Sequence, residues 1–289
     1  MQTKVVKIDS ANIDDAAMKE ACDLIRAGEL VAFPTETVYG LGADALHPEA
    51  SKKIYAAKGR PSDNPLIVHI SKFEDLVSIA REVPPQAKKL ADAFWPGPLT
   101  MIVWKNDRVP YETTGGMDTV AIRMPKHPVA LRLIEGSGCL IAAPSANTSG
   151  KPSPTEASHV ALDMDGRIPM ILDGGPVGIG IESTIVDLSE ETPMILRPGY
   201  ITQEMLQEVL GEKVCMDPGI IASDSTRKPK APGMKYKHYA PKADLVLVEG
   251  ETDKVVARIN ELVREKQQLG QKVGVIATDE TFLRYEADH

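Results

Sequence analysis

Residues 30–45 read LVAFPTETVYGLGADA. Leu30–Phe33 is a short apolar run stopped by Pro34, too short for a helix, and it reads as a buried strand. The polar, glycine-rich run behind it has the composition of a loop at a strand end. The same grammar repeats along the chain. Apolar runs of strand length stand at Leu66–Ile70, Leu99–Trp104, Val120–Ile122, Leu140–Ala143, Met170–Leu172 and Thr184–Val186. Helical patterns lie at about 13–27, 48–57, 85–94, 128–135 and 154–162. In the first, Ile13, Ala17, Ala21, Leu24 and Ile25 recur at helical spacing, and Gly28 suits the C-terminal cap. Strands interleaved with helices predict an α/β (α+β) domain over 1–212.

The texture then changes. Residues 213–242 read as a linker, basic and proline-rich from 226, where TRKPKAPGMKYKHYAPK holds six Lys or Arg and no Asp or Glu. Residues 243–289 predict a strand (243–248), a helix (about 252–267) and a strand (273–277), one Rossmann-like βαβ unit. Fewer than 50 residues do not easily cover both faces of a parallel sheet, so this segment is expected to be docked or truncated.

The 289 residues, 43% apolar and 26% charged, suit a folded globular chain and exclude a disordered one. At roughly 150 residues per domain, about two domains are expected. No stretch approaches the roughly 20 apolar residues of a membrane span, and MQTKVVKIDS lacks a signal-peptide apolar region, so a soluble, cytoplasmic protein is expected. The net charge of −8 argues against stable binding of long nucleic acid, but leaves room for a local basic pocket. Cys22, Cys139 and Cys215 lie far apart, with neither zinc nor disulfide spacing, which fits a reducing compartment. The six histidines are dispersed, so no metal ligands are assigned. Aromatic residues at 4% are too few for a single-strand stacking platform.

Four polar, glycine-rich segments fall at strand ends, where ligand sites of α/β domains gather: 34–45, 58–65, 143–156 and 174–184. Each carries two readings. Lys58-Gly59-Arg60 is either a helix end with a glycine cap or an anion clamp, with Arg60 holding phosphate through two parallel hydrogen bonds. Ser145-Ala146-Asn147 is either turn chemistry or a set of groups offered to a polar ligand. Ser153-Pro154-Thr155-Glu156 fits a helix start, with Ser153 as the cap. His69 is either a half-exposed strand filler or a ligand group; Arg123 and Arg197 are either surface cations or site residues. Glu182-Ser183-Thr184 could be only a strand start. No P-loop, nucleophile elbow or dinucleotide glycine spacing is present. Arginines, one lysine and many hydroxyls without an evident nucleophile suit catalysis by positioning and charge neutralisation, as in nucleotidyl transfer.

Taken in order, PTETVYGLG (34–42), KGRP (58–61) with NPLIVHI (64–70), AIRMPKHP (121–128), APSANTSGKPSPT (143–155), ESTIVDL (182–188) and ILRPG (195–199) closely resemble the threonylcarbamoyl-AMP synthase family, the YrdC-like domain proteins. Its Lys-x-Arg and Ser-x-Asn hallmark stands as Lys58, Arg60, Ser145 and Asn147. APGMKYKHYAP (231–241) resembles the linker of the two-domain form, with Ala231 where Ser is common. The resemblance implies a twisted-sheet domain with a central basic cavity, followed by a C-terminal domain that in this family is a complete Rossmann-like sheet. It implies the conversion of L-threonine, bicarbonate and ATP to L-threonylcarbamoyl-AMP and pyrophosphate, with Mg2+. The product passes to the tRNA threonylcarbamoyl transferase machinery. By the same resemblance, Lys58 and Arg60 are catalytic. Thr37, His69, Arg123, Ala143 (through its backbone) and Ser183 hold threonine. Arg60, Asn64, Thr119, Ser145, Asn147, Ser153 and Arg197 contact ATP, together with Tyr236 or Tyr239 from the linker. The competing expectation is an RNA-binding or ribosome-assembly YrdC-like module without turnover, which the charge of −8 disfavours and the basic linker favours. A carbamoyl-transfer accessory domain would need zinc-finger and acylphosphatase-like segments, which are absent from this sequence.

Overall fold

The structure, a computed structural model, describes residues 2–221 and 243–289. Tyr236, Tyr239, Ala231 and the basic stretch 226–242 lie outside the described residues. The chain divides into two compact units, Met1–Ala240 and Pro241–His289. Among the described residues no helix is long and apolar enough to cross a membrane.

The first unit is built on strands β1 (Lys4–Lys7), β2 (Val31–Phe33), β3 (Gly40–Asp44), β4 (Ile67–His69), β5 (Leu99–Trp104), β6 (Thr119–Arg123), β7 (Ile141–Ala142), β8 (Met170–Asp173), β9 (Thr184–Asp187), β10 (Met194–Arg197) and β11 (Cys215–Met216). They form one mixed sheet in the order β1-β8-β2-β3-β7-β4-β6-β5-β9-β10-β11. Helices α1 (Asp15–Arg26), α2 (Pro48–Lys58), α3 (Phe73–Ile79), α4 (Pro85–Phe94), α5 (Tyr111–Thr114), α6 (Pro128–Ser137), α7 (Ala157–Met164), α8 (Gln203–Leu210) and α9 (Pro218–Ile221) accompany it. The seven strands expected from apolar runs are all present, and the expected α/β class with them.

Period-two alternation distributes the core between two faces. Val68, Met101, Val103, Val120, Ile122 and Val186 join a single large cluster with apolar residues of α2, α3, α4, α7 and α8. On the opposite face the core is split. Val31, Phe33, Met170 and Leu172 pack under α1 and α6. Further along, Ile67, Ile102, Ala121, Ile185 and Leu196 form a small separate cluster. The candidate site lies on this divided face.

Three local expectations are corrected. The segment 34–45 is not loop throughout: GLGAD forms β3, antiparallel to both β2 and β7. Glycine suits that strand because a Cβ on Gly42 would stand 2.7 Å from both Ile141 and the Phe33 ring. Helix α7 begins at Ala157, with Glu156 at its N-cap position, so Ser153 does not cap it. The third correction concerns 243–289. There, α10 (Thr252–Gln268) forms as expected, but 244–249 and 271–278 carry no regular secondary structure. Two strands with one helix leave a sheet face bare, and an isolated strand pair gains too little to hold in water.

Candidate functional site

Parallel pairing of β4 with β6 sets His69 opposite Arg123, and antiparallel pairing of β5 with β6 sets Thr100 on the other side of Arg123. His69, Arg123 and Thr100 therefore form one row across three strands, two residues along from the apolar row Ile67, Ala121 and Ile102. Arg197 joins this face through an irregularity. β10 pairs Ile195 with Val186 but Arg197 with Ile185, a register shift between the two residues. The extra residue moves Arg197 off the large-core side and onto the side of the small cluster.

A cavity opens here, lined by Thr35, Thr37, Val38, Tyr39, Gly40, Arg60, Ile67, His69, Arg123, Ala143, Pro144, Ser145, Glu182, Ser183 and Arg197. Thr37, His69, Arg123, Ala143 and Ser183, the whole set expected for threonine, share its wall with Arg60, Ser145 and Arg197. Lys58, Asn64, Thr119, Asn147 and Ser153 do not line it directly.

The Arg123 guanidinium is nearly enclosed. Its Nη1 donates to Thr37 Oγ1 at 2.9 Å, its Nε donates to the Gly97 carbonyl at 3.3 Å, and Nη2 lies 2.7 Å from Glu36 Oε1. Ser183 Oγ shares a 2.8 Å hydrogen bond with Thr100 Oγ1 and accepts one from Arg197 Nη2 at 3.1 Å. Arg197 also donates from Nε and Nη2 to the Ser183 carbonyl. The His69 ring is buried rather than half-exposed. Burial first, then the nearby Arg123 charge, pushes its pKa down to about 3, so the ring is neutral and its Nδ1 pairs with the Ile67 carbonyl at 3.1 Å.

Helix α2 supplies the second half of the site. It ends at Lys58, and Gly59 caps it in the left-handed conformation at φ 60°, so the helix-end reading of Lys58-Gly59-Arg60 holds. The functional geometry coexists with it. Lys58 Nζ, buried, donates to the carbonyls of Ser145 and Asn147, and the Lys58 carbonyl accepts from the Ser149 N–H at 2.9 Å. Burial, then the Arg60 charge, holds the Lys58 ammonium well below the usual lysine range, with the Asp163 carboxylate acting in the opposite direction. Lys58 thus fixes the loop that carries Ser145 and Asn147. Arg60 is oriented by donating to the carbonyls of Asn64 at 3.2 Å and Pro65 at 3.0 Å. Asn147 Nδ2 donates to the carbonyls of Thr148 and Lys151, both at 2.8 Å. Among the described residues, the buried Asn147 Oδ1 and Ser153 Oγ have no hydrogen-bond partner.

Thr35, Glu36, Thr100 and Glu182 are site residues that sequence reasoning missed. Thr35, Glu36 and Glu182 lie inside segments singled out for their composition. Thr100 was recognisable only as an inward position of β5, because strand register decides what it touches.

Two family models match the chain. One, covering Sua5, YciO and YrdC proteins and described as "Telomere recombination", matches residues 23–199. The other, "Threonylcarbamoyl-AMP synthase, C-terminal domain", matches residues 201–288. The chain is similar to the threonylcarbamoyl-AMP synthase of Pyrococcus abyssi, with 53% identity over 276 residues, 96% of this chain and 79% of that protein. With the Bacillus subtilis protein of that name it shares 52% identity over 282 residues, 97% of this chain and 80% of the other. Among solved structures, P. abyssi Sua5 complexed with L-threonine superposes with a TM-score of 0.91 at 51% identity, covering 96% of this chain and 82% of that one.

Proposed function

The chain belongs to the Sua5/YciO/YrdC family and carries that family's threonylcarbamoyl-AMP synthase C-terminal domain, and from that premise we propose that its cavity joins L-threonine, bicarbonate and ATP into L-threonylcarbamoyl-AMP, releasing pyrophosphate. The observation that carries the reading is the single cavity wall shared by Thr37, His69, Arg123, Ala143 and Ser183 with Arg60, Ser145 and Arg197.

The chemistry brings like charges together. Threonine's amine adds to carbon dioxide with loss of a proton, or to bicarbonate with loss of water, to give a carbamate. A carbamate oxygen then attacks the α-phosphorus, and the bond from that phosphorus to the pyrophosphate oxygen breaks. Anion meets anion, so the wall must supply positive charge fixed before the reaction. In this reading Arg123 takes the threonine carboxylate in the planar pairing that suits a guanidinium. His69, neutral and held by the Ile67 carbonyl, offers a polar ring without competing for that carboxylate. Arg60 and Arg197 face the phosphates, and Lys58 keeps the 145–147 loop at the distance they need. Ser145, Asn147 and Ser153 belong to the nucleotide side, with Asn64 and Thr119 behind it.

Among the described residues no three His, Cys, Asp or Glu gather to form a metal cage. Magnesium binds through nucleotide phosphates and one or two carboxylates, keeping several waters. Glu182, on the cavity wall, is the carboxylate suited to meet it. Bound with ATP, the ion would offset phosphate charge. We place the reaction in the cytoplasm, where ATP, threonine and tRNA meet, and assign the product to the tRNA threonylcarbamoyl transferase machinery.

Mass spectrometry after incubation with ATP, L-threonine, bicarbonate and magnesium tests the reading. Threonylcarbamoyl-AMP should accumulate, disappear when threonine or bicarbonate is omitted, and fall by roughly a hundredfold or more in Arg60→Ala or Lys58→Ala with the melting transition retained. RNA binding without this turnover would overturn it.

A further inference from the structure

Glu36 stands in the chain between Thr35 and Thr37, which line the cavity, and its own side chain is largely buried. One carboxylate oxygen, Oε1, lies 2.7 Å from Arg123 Nη2, with the two side chains 13% and 5% exposed. The other, Oε2, accepts the Lys126 N–H at 2.9 Å, in the turn that follows β6. The main-chain carbonyl of Glu36 accepts from Ile179 at 2.9 Å, and that of Thr37 accepts from Gly180 at 3.0 Å. One residue thus joins β6 and its exit turn to the glycine run that leads into Glu182-Ser183.

A guanidinium is useful to a carboxylate only in a fixed plane, because its fork offers paired donors in one direction. Thr37 Oγ1 and the Gly97 carbonyl hold Arg123 at two nitrogens, the second at a long 3.3 Å. Among the described residues, the third nitrogen meets only Glu36. That contact matches charge without satisfying hydrogen-bond direction, since neither Nη2 nor Oε1 has an aligned partner there. A buried cation also needs a counter-charge in the ligand-free protein, and Glu36 is the carboxylate that supplies it. Together the two roles keep Arg123 oriented and neutralised until a ligand carboxylate arrives.

We propose that Glu36 is a positioning residue for the threonine end of the reaction: it fixes the Arg123 fork and screens its charge, so that the cavity recognises an amino-acid carboxylate there. This rests on the reading of Arg123 as the partner of threonine. Glu36→Gln keeps the side-chain volume and the acceptor but removes the charge; Glu36→Asp keeps the charge and shortens the reach.

Steady-state kinetics with each substrate varied separately should show KM for L-threonine raised about tenfold or more in Glu36→Gln. KM for ATP and kcat should stay within about twofold, and Glu36→Asp should fall between the two. The melting-temperature rise given by threonine should shrink in step, while the rise given by ATP persists. An unchanged threonine KM in both variants, or both KM values rising together with a lowered melting temperature, overturns the assignment. If Glu36→Gln does not fold, Glu36→Asp carries the same split alone, and its absence there overturns the assignment equally. A wild-type protein without threonine-dependent turnover would remove the functional reading itself; normal wild-type turnover with unaffected variants would remove only Glu36.

Discussion

Burial of the His69 ring beside the Arg123 guanidinium pushes its pKa from an ordinary 6.5 to about 3. Above pH 6.5 the ring is neutral in the folded and unfolded chain alike, and the folded state keeps its full stability. Between 6.5 and 3 the unfolded chain takes up a proton that the folded site refuses, so stability falls as pH falls through that window. The slope from this one group approaches about 1.4 kcal/mol per pH unit. Thermal melts of the wild type and His69→Gln from pH 7 to pH 4 should show the variant losing less stability on acidification. Parallel curves would mean the ring takes its proton without cost. The alternation of Leu66–Ile70 sets His69 on the face opposite Leu66, Val68 and Ile70, but neither its burial nor its neutrality is legible there, because both depend on neighbours such as Arg123, 54 positions away and adjacent only through strand pairing.

At the scale of elements, the decisive features are two that leave faint traces in composition. The register shift between Ile195 and Arg197 turns the arginine toward the cavity; an uninterrupted strand would have placed it beside Ile195 on the large core. Gly199, two residues on, lets this strand end press against the start of β9. A Cβ there would stand 2.5 Å from the Glu182 carbonyl and 2.6 Å from the Thr184 N–H, where a backbone neighbour cannot yield. Gly199→Ala should therefore displace Glu182-Ser183, lowering stability by about 1–3 kcal/mol and turnover at least tenfold. Chemical denaturation and the product assay read the two effects; an alanine variant as stable and as active as the wild type would show that the strands can part. The motif ILRPG marks the place in the sequence, yet only the packing gives its glycine a reason. β3 escaped sequence reasoning for a related cause: its two glycines look like loop, although absence of a side chain is what lets β2 and β7 close on it.

For the molecule as a whole, a local rule succeeded in one unit and failed in the other. In the first, each apolar run found neighbours: helices cover one face of the sheet, and α1 and α6 cover part of the other. In 243–289 the runs have the same texture, but Leu245, Leu247 and Ile276 are 78%, 80% and 95% exposed, while α10 buries only Val256 and Val263. Apolar runs specify strands only when pairing and covering partners exist, and composition cannot count partners. The charge follows the same logic: −8 for the whole chain coexists with a cavity whose wall carries Arg60, Arg123 and Arg197. With so little apolar surface buried, a peptide spanning 243–289 falls below the size at which burial outweighs chain entropy. Such a peptide should show helical circular dichroism from α10 that fades gradually on heating. A sharp sigmoidal transition, independent of peptide concentration, would show instead that these residues hold a core of their own.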